Sequence, residues 1–327
     1  MNILVTGGAG YIGSHICRAL LASGYAVHAL DNLSSGHAEV AVGTLHTVDL
    51  GDVVGLRNIF AEYHIDAVVH CAGLINVADS MQHPEVYRTV NIEYTKSLLE
   101  EMARANVRDF VFSSSCAVYG TPQHLPVDEA TPFHPESVYA ETKVAAEEII
   151  RNSAEMYGMR YAILRYFNAC GAAANGSAGE WHDPETHLIP NVIRAAMSQQ
   201  PVMIFGNDYP TSDGTCVRDY VHVEDLADAH VKALQYIDSH VEPLILNLGS
   251  GHGYSNAEIV AAVETELKTK IVVQYGPRRV GDPACIEASN EKARMLLGWQ
   301  PRHDLASIIR TAVEWEIKNK IASLRSQ

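Results

Sequence analysis

Tyr139 and Lys143 are the residues of this sequence whose types and spacing point most directly to chemistry. Side chains four positions apart on a helix lie on the same face, and the stretch from Tyr139 to Tyr157 has helical spacing and helix-forming residues. An ammonium group beside a phenol stabilises the phenolate and lowers the pKa of the phenol. The pair therefore predicts a general acid/base for a sugar or alcohol hydroxyl, although by itself it also fits an ordinary solvated helix face.

The N-terminal residues predict the element that would bring a redox cofactor to this pair. A strand from Asn2 to Thr6 runs into the glycine-rich residues 7–13, an amphipathic helix follows, and a second strand ends in Asp31. This is the order of a dinucleotide-binding βαβ unit, in which glycines let the backbone approach a pyrophosphate at a helix N-terminus. An acid at position 31 would hold ribose hydroxyls and repel a 2′-phosphate. We therefore expect NAD rather than NADP.

A serine run lies between these two features. The β-like residues 110–112 lead into Ser113, Ser114 and Ser115. The carboxyl end of a parallel strand is the ligand-binding edge of such a sheet, so a hydroxyl there could meet Tyr139. Serine is also common in turns that follow strands, so the serine run alone does not indicate a functional site.

Taken together, these features resemble the extended short-chain dehydrogenase/reductase family. Within that family, residues 164–168 (LRYFN), 204–211 (IFGNDYPT) and 213–223 (DGTCVRDYVHV) are most similar to the nucleotide-sugar 4-epimerases that interconvert UDP-glucose and UDP-galactose. The resemblance extends over essentially the whole chain. It implies oxidation at C4 to a 4-keto sugar, rotation of that sugar in the site and re-reduction on its other face.

The resemblance also implies roles for particular residues. The catalytic residues would be Ser115, Tyr139 and Lys143. The cofactor contacts would be Gly7, Gly10, Tyr11, Ile12, Gly13, Asp31, Asn32, Asp49, Leu50, Ala72, Gly73, Asn91, Tyr139, Lys143 and Tyr166. The substrate contacts would be Ser115, Tyr139, Asn168, Leu188, Met203, Phe205, Arg218, Arg279, Asp282 and Ile286, with Cys285 as the one-residue alternative to Ile286.

Among the substrate contacts, the resemblance implies that Arg218 and Arg279 bind the diphosphate and that Asp282 binds the uridine ribose.

Three positions depart from the pattern of the best-known members. Ile75 stands where a lysine is frequent, His187 where asparagine is common, and Cys116-Ala117 where Ala-Thr is usual. None of these departures removes the Tyr–Lys chemistry.

Composition and residue spacing limit which partners, which cellular compartment and which metal sites are possible. The net charge of −15, without a Lys/Arg cluster, disfavours nucleic acid and anionic membranes as partners. Six dispersed cysteines indicate reduced thiols in a cytoplasmic protein, and no apolar run reaches the roughly 18 residues of a membrane span. The histidines show no strong zinc-ligand spacing, so we expect no metal. The resemblance implies a homodimer.

The alternation of strands and helices predicts a Rossmann-type, doubly wound parallel α/β sheet with a smaller mixed α/β substrate domain. We expect the NAD-binding domain to cover residues 1–168 and the nucleotide-sugar domain residues 169–327. Part of 220–248, which reads as strand–helix–strand, could return to the first domain's sheet.

Three rivals stay open. The first is a nucleotide-sugar dehydratase or decarboxylase, although dehydratases resembling those known carry an Asp-Glu pair where this chain has Cys116-Ala117. The second is an epimerase for a pentose or uronic acid. The third is a non-catalytic NAD-sensing protein, which loss of the tyrosine or lysine would have favoured.

Overall fold

The computed structural model describes residues 1–279 and 281–325 of the 327-residue chain. Its strands are β1 (Asn2–Thr6), β2 (Ala26–Asp31), β3 (Thr44–Thr47), β4 (Ala67–His70), β5 (Asp109–Ser115), β6 (Arg160–Tyr166), β7 (Asn168–Cys170), β8 (Val202–Phe205), β9 (Val217–His222), β10 (Leu244–Leu248), β11 (Gly253–Ser255), β12 (Val273–Gly276) and β13 (Cys285–Ile286). Its α-helices are α1 (Tyr11–Ala22), α2 (Val53–Tyr63), α3 (Val77–Gln82), α4 (Pro84–Arg88), α5 (Tyr94–Arg104), α6 (Val138–Tyr157), α7 (Leu188–Ser198), α8 (Val223–Ser239), α9 (Asn256–Leu267), α10 (Glu291–Leu297) and α11 (Leu305–Arg325).

Seven strands form one parallel sheet in the order β10-β6-β5-β4-β1-β2-β3. The strands read as continuous apolar runs because helices cover both faces. Alternate residues of β1 show this, since Ile3 packs in the cluster with α1 and α8, whereas Leu4 packs in the cluster with α2, α5 and α6. The order reverses between β1 and β4, and such a switch point is where open α/β sheets bind ligands. The Rossmann-type fold expected from the sequence is confirmed.

The segment 220–248 crosses between the two parts of the fold. β9 lies in a small sheet with β11, β13 and β7, whereas β10 pairs with β6 in the large sheet. Between them, α8 packs in the same core cluster as α1. We propose that the two lobes part near residue 168, with α8 and β10 belonging to the first lobe.

The remaining elements pack around a second core. α7, α9 and α11 bury apolar side chains such as Ile193, Val263 and Ile309 against β8 and β9. β8 pairs with β12 in a two-stranded sheet. This arrangement follows the carboxyl end of β6 in the chain, and the Tyr11 hydroxyl at the start of α1 donates to the Gly171 carbonyl just after β7 at 2.7 Å.

One predicted helix is broken in the structure. The sequence favours a single helix over 84–106, but α4 and α5 are separated by a π-type segment, Thr89–Glu93. π-Helical segments are frequently found at functional sites. Here the segment carries Asn91, which it places in the interior.

Candidate active site

The glycine loop between β1 and α1 has no room for side chains at Gly7 and Gly13. Gly7 adopts a positive φ of 70°, and a Cβ there would lie 2.8 Å from the Ala72 nitrogen. A Cβ on Gly13 would overlap the Gly7 carbonyl. The helix cap at Gly10 has no side-chain hydrogen bond, and the first turn of α1 holds no acidic residue. The free N–H groups at this helix start therefore form an anion site of the kind that takes a pyrophosphate.

Asp31 lies at the carboxyl end of β2, close to this loop. Its carboxylate is buried and accepts hydrogen bonds from the Ala9 N–H at 3.0 Å and the Leu33 N–H at 2.9 Å. Asn32 donates to Asp49 at 2.6 Å. Leu50 is buried in the neighbouring core. The predicted adenosine-side residues are thus brought together beside the glycine loop.

Asn91 fixes the loop that follows β4. Its amide oxygen accepts from the Leu74 N–H at 2.8 Å, and its amide nitrogen donates to the Leu74 carbonyl and to the Thr142 hydroxyl, both at 3.0 Å. A Cβ on Gly73 would lie 3.0 Å from the Asn91 oxygen. Asn91 therefore positions Ala72 and Gly73 against α6, and its direct contact with the cofactor stays a prediction.

Ser115, Tyr139 and Lys143 meet at the carboxyl end of β5. Ser137 caps α6 by accepting from the Ala140 N–H, so the helix begins just before the tyrosine. The Ser115 side chain lies close enough to the Tyr139 hydroxyl to influence the pKa of the tyrosine. The Lys143 Nζ lies 5.8 Å from the Tyr139 ring centre and donates to the Ser113 carbonyl at 3.0 Å. The structure thus assembles the three residues predicted to be catalytic.

The expectation that Tyr139 has a lowered pKa is wrong for the protein by itself. Burial raises the pKa of Tyr139 to about 12, and the neighbouring Ser115 side chain only partly opposes this. Burial also lowers the pKa of Lys143 to about 8. Desolvation disfavours the charged form of each group. At neutral pH the tyrosine is therefore a phenol and the lysine is an ammonium.

A buried ionic network that sequence reasoning missed holds these residues in place. Glu147, one turn after Lys143, is fully buried and receives hydrogen bonds from Ser114 at 2.7 Å and from the Arg165 guanidinium at 2.9 and 2.6 Å. Arg165 also donates to the Tyr119 hydroxyl at 2.9 Å. The network ties α6 to β5 and β6. Two features of the sequence could have indicated this network. One is a glutamate on the same helix face as Lys143, and the other is an arginine within a buried strand.

Tyr166 ends β6 on the other side of Ser113. Burial raises the pKa of its hydroxyl, and the nearby Ser113 side chain partly opposes this. The Ser113 hydroxyl oxygen lies 3.1 Å from His230 Nε2. Burial lowers the pKa of His230 to about 4, so this imidazole is neutral. Ser113 therefore links the end of β5 to α8 through His230 and to α6 through its carbonyl, which accepts from Lys143.

On the substrate side, Arg218 and Asp282 are paired with each other. The Arg218 Nη2 lies 2.9 Å from the Asp282 carboxylate, and Nη1 donates to the Pro283 carbonyl at 2.7 Å. The Arg218 charge lowers the pKa of Cys116, although burial outweighs it and raises that pKa to about 12. Arg218 thus lies close to the end of the serine run. The two residues expected at the diphosphate and the ribose share one surface.

The other substrate candidates are spread around this surface. Phe205 is stacked under the Arg279 guanidinium, 4.2 Å from its ring centre, and Met203 on the same strand is 44% exposed. Asn168 begins β7, and Leu188 begins α7. An exposed methionine beside a half-buried aromatic is suited to stacking with a planar base.

Ile286 and Cys285 differ in burial. Ile286 is 5% exposed and packs with Val118, Tyr119 and Phe167. Cys285, the preceding residue of β13, is partly exposed. Since successive strand residues face opposite ways, only one of the two can border the sugar. The packing favours Cys285 over Ile286.

Comparison with known proteins identifies the family. The family model for the NAD dependent epimerase/dehydratase family matches residues 3–249. The chain belongs to this family. A UDP-glucose 4-epimerase of Rhizobium meliloti (strain 1021) is 45% identical over 316 residues, which cover 96% of each chain.

Solved structures of epimerases from this family have the same fold. The UDP-glucose-4-epimerase of Stenotrophomonas maltophila, with bound NAD and formylated UDP-arabinopyranose, matches with a TM-score of 0.95 and 38% identity over 98% of this chain and 99% of that one. The Bifidobacterium longum enzyme in complex with NAD⁺ and UDP matches with a TM-score of 0.94 and 36% identity over 98% and 99%.

The residues of this family member fit NAD. Side chains at Gly7 and Gly13 would fill the backbone cradle, and the Asp31 carboxylate would oppose the extra phosphate of NADP. No helix among the described residues has both the length and the apolar character needed to cross a membrane.

Proposed function

We propose that this chain interconverts UDP-glucose and UDP-galactose by NAD-dependent oxidation and re-reduction at C4 of the hexose. The observation that carries the proposal is the buried Tyr139 side chain with Ser115 next to it and the Lys143 Nζ 5.8 Å from its ring centre, at the carboxyl end of β5. A nucleotide-sensing protein would not need an acid/base there. The UDP-glucose 4-epimerase relatives over nearly the full chain support the same reaction.

Tyr139 is the proposed acid/base. It removes the proton of the sugar 4-hydroxyl during oxidation and returns one to the 4-keto oxygen during reduction. Ser115, next to the tyrosine side chain, would orient that hydroxyl. When bound, NAD supplies the acceptor and donor of the hydrogen at C4 and brings a positive nicotinamide that stabilises the phenolate.

Lys143 has two proposed roles. Its ammonium stabilises the Tyr139 phenolate, and it binds the cofactor ribose. The anchor of Nζ on the Ser113 carbonyl fixes its position relative to both groups. Arg218 and Arg279 would bind the substrate diphosphate, for which the guanidinium geometry is suited. Asp282 would then hold the uridine ribose next to Arg218.

Product analysis of the purified protein tests the function. Incubation with UDP-galactose should yield UDP-glucose, which a UDP-glucose dehydrogenase reports as NADH, and denaturation should release NAD⁺ or NADH. Parallel incubations with UDP-xylose and UDP-glucuronate test the pentose and uronate alternatives. Loss of water or carbon dioxide from the sugar would overturn the proposal. Release chiefly of NADP would overturn the role of Asp31.

We further propose that the chain is a cytoplasmic homodimer. All six cysteines are free thiols, which supports a reducing compartment. Exposed apolar side chains on α4 and α6, Val86 and Met156 among them, support an association surface on these helices.

A further inference from the structure

Four potential metal ligands come together in the loop before α7. These are Glu180, His182, Glu185 and His187, and their ligand atoms all lie within 4.8 Å of one another. The sequence gives little warning, because the ligands follow the irregular pattern Glu-x-His-x-x-Glu-x-His and match no standard zinc spacing. We call this group the His/Glu cluster.

The distances inside the cluster suit one small cation. His187 Nδ1 lies 2.8 Å from Glu180 Oε1 and 2.9 Å from Glu185 Oε1, and His182 Nδ1 lies 3.4 Å from Glu180 Oε1 and 3.7 Å from Glu185 Oε2. Two ligands at about 2.0–2.2 Å from a tetrahedral zinc ion are roughly 3.3 Å apart. The observed separations bracket that value.

Two atoms of the cluster lack a partner. His182 Nδ1 and Glu185 Oε2 are buried and make no hydrogen bond within the part of the chain that the structure describes. The Glu185 side chain is only 2% exposed and its free oxygen faces the histidine. An unpaired buried polar atom costs about 1–3 kcal/mol. Both atoms are of types that coordinate zinc.

We propose that the His/Glu cluster is a binding site for a divalent transition-metal ion, with zinc as the best-matched ion. Two imidazole nitrogens and two carboxylate oxygens form a donor set that suits zinc better than magnesium, which prefers oxygen alone. Two glutamates and one divalent ion leave no net charge when both histidines are neutral. This inference does not depend on the proposed epimerase activity.

Arg194 is a positive charge near the cluster and opposes a cation there. Its Nη2 lies 3.8 Å from Glu185 Oε2, but it is also paired with Glu316 at 2.9 Å. The guanidinium charge is therefore already balanced by a carboxylate outside the cluster.

The position of the cluster indicates what the ion would do. All four ligands lie in 180–187, immediately before Leu188 begins α7. His182 also packs edge-on against Tyr11, the first residue of α1, with ring centres 6.3 Å apart. A bound ion would therefore fix the loop between the cofactor-side helix and the substrate-side helix.

Direct binding measurements test the site. The full chain is stripped with a chelator and titrated by equilibrium dialysis with Zn²⁺, Mn²⁺ and Mg²⁺ separately. We expect one Zn²⁺ per chain at micromolar concentration or below, and no binding of Mg²⁺ there. His187→Gln and His182→Gln should each weaken zinc binding at least tenfold, whereas His124→Gln, at an exposed position outside the cluster, should not.

Two measurements on the unaltered chain keep the test valid if a variant misfolds. Calorimetry should show saturable binding of one zinc ion per chain, and zinc should raise the melting temperature because it binds only the folded state. Absence of saturable zinc binding would overturn the proposal. So would zinc binding that the two cluster variants retain.

Discussion

At the scale of single residues, the proposed chemistry requires Tyr139 to act as a base. A phenol with a pKa of about 12 is almost wholly protonated at neutral pH, because burial disfavours its anion. This pKa already applies with Lys143 beside the ring, and Lys143 carries its charge below its own pKa of about 8. The nicotinamide ring of bound NAD would add a positive charge that lowers the pKa of the phenol. We therefore expect Tyr139 to act as a base only when the cofactor is bound.

Removing the Tyr139 hydroxyl tests this account. Tyr139→Phe keeps the ring and its packing but removes the acid/base, so kcat for epimerisation should fall by roughly 10²–10⁴-fold. The amount of NAD released on denaturation should be unchanged. Near-normal turnover of UDP-galactose by this variant would refute the assigned role.

The residue that limits substrate size is a second prediction. A bulky side chain at position 285 would narrow the space beside the 2-substituent of the sugar, so Cys285→Tyr should abolish activity on N-acetylated UDP-hexoses, which we expect to be weak, and largely spare UDP-glucose and UDP-galactose. Ile286→Tyr is the matched variant. Because Ile286 lies in a packed cluster, it should destabilise the fold by about 1–3 kcal/mol instead.

The ratio of the activity on N-acetylated UDP-hexoses to the activity on UDP-glucose and UDP-galactose distinguishes Cys285 from Ile286. We expect it to change in Cys285→Tyr and to stay constant in the folded fraction of Ile286→Tyr. The opposite pattern would show that Ile286 borders the sugar, as the sequence alone suggests, and that the packing in β13 has been misinterpreted.

At the scale of elements, α6 is the part whose placement matters most. It carries Tyr139 and Lys143 on one face, and the buried Glu147 on the next turn joins it to Arg165 of β6. Removing one member of a buried ion pair leaves the other charge uncompensated. The network therefore stabilises the fold and orients the acid/base together.

Glu147→Gln should reveal both effects. We expect a loss of about 3–5 kcal/mol in the free energy of unfolding and a fall in kcat that exceeds the change in KM. Arg151→Met is the matched control, because Arg151 contacts the same carboxylate at 3.0 Å but is 35% exposed, and such pairs contribute about 0–1 kcal/mol. A double variant with Arg165→Met should lose less than the two single variants combined. Additive losses would contradict the coupling.

The elements also show how far the sequence predicts this molecule. The sequence pattern predicts strands over 2–6 and 67–70 and a helix over 53–63. β1, β4 and α2 have these bounds, because local periodicity and burial agree there. The helix predicted over 84–106 is broken because Asn91 bonds to Leu74 and Thr142, contacts that no local pattern encodes. The His/Glu cluster was missed for the same reason. Its ligands are gathered by a loop whose path depends on tertiary packing.

At the scale of the whole molecule, the proposed first lobe would hold the cofactor loop and the acid/base, and the proposed second lobe would supply the cations for the nucleotide. β9, α8 and β10 pass from one to the other, and the Arg218–Asp282 pair links β9 to the loop before β13. Such a connection would hold the reacting sugar and the nucleotide in fixed positions relative to each other. It is physically suited to retaining a 4-keto sugar while it turns over.

Association of two chains is the prediction that belongs to this scale. α4 and α6 pack together, with Arg88 3.8 Å from Glu141, and they expose Val86 at 52% and Met156 at 72%. Light scattering at micromolar concentration should give twice the mass of one chain. Val86→Asp should shift this toward the monomer, because it places a charge in a desolvated interface. Met295→Asp, on α10 and 71% exposed, is the control and should leave the dimer intact. A monomer mass for the unaltered chain would count decisively against the dimer, and dissociation by both variants would show that the surface on α4 and α6 is not the interface.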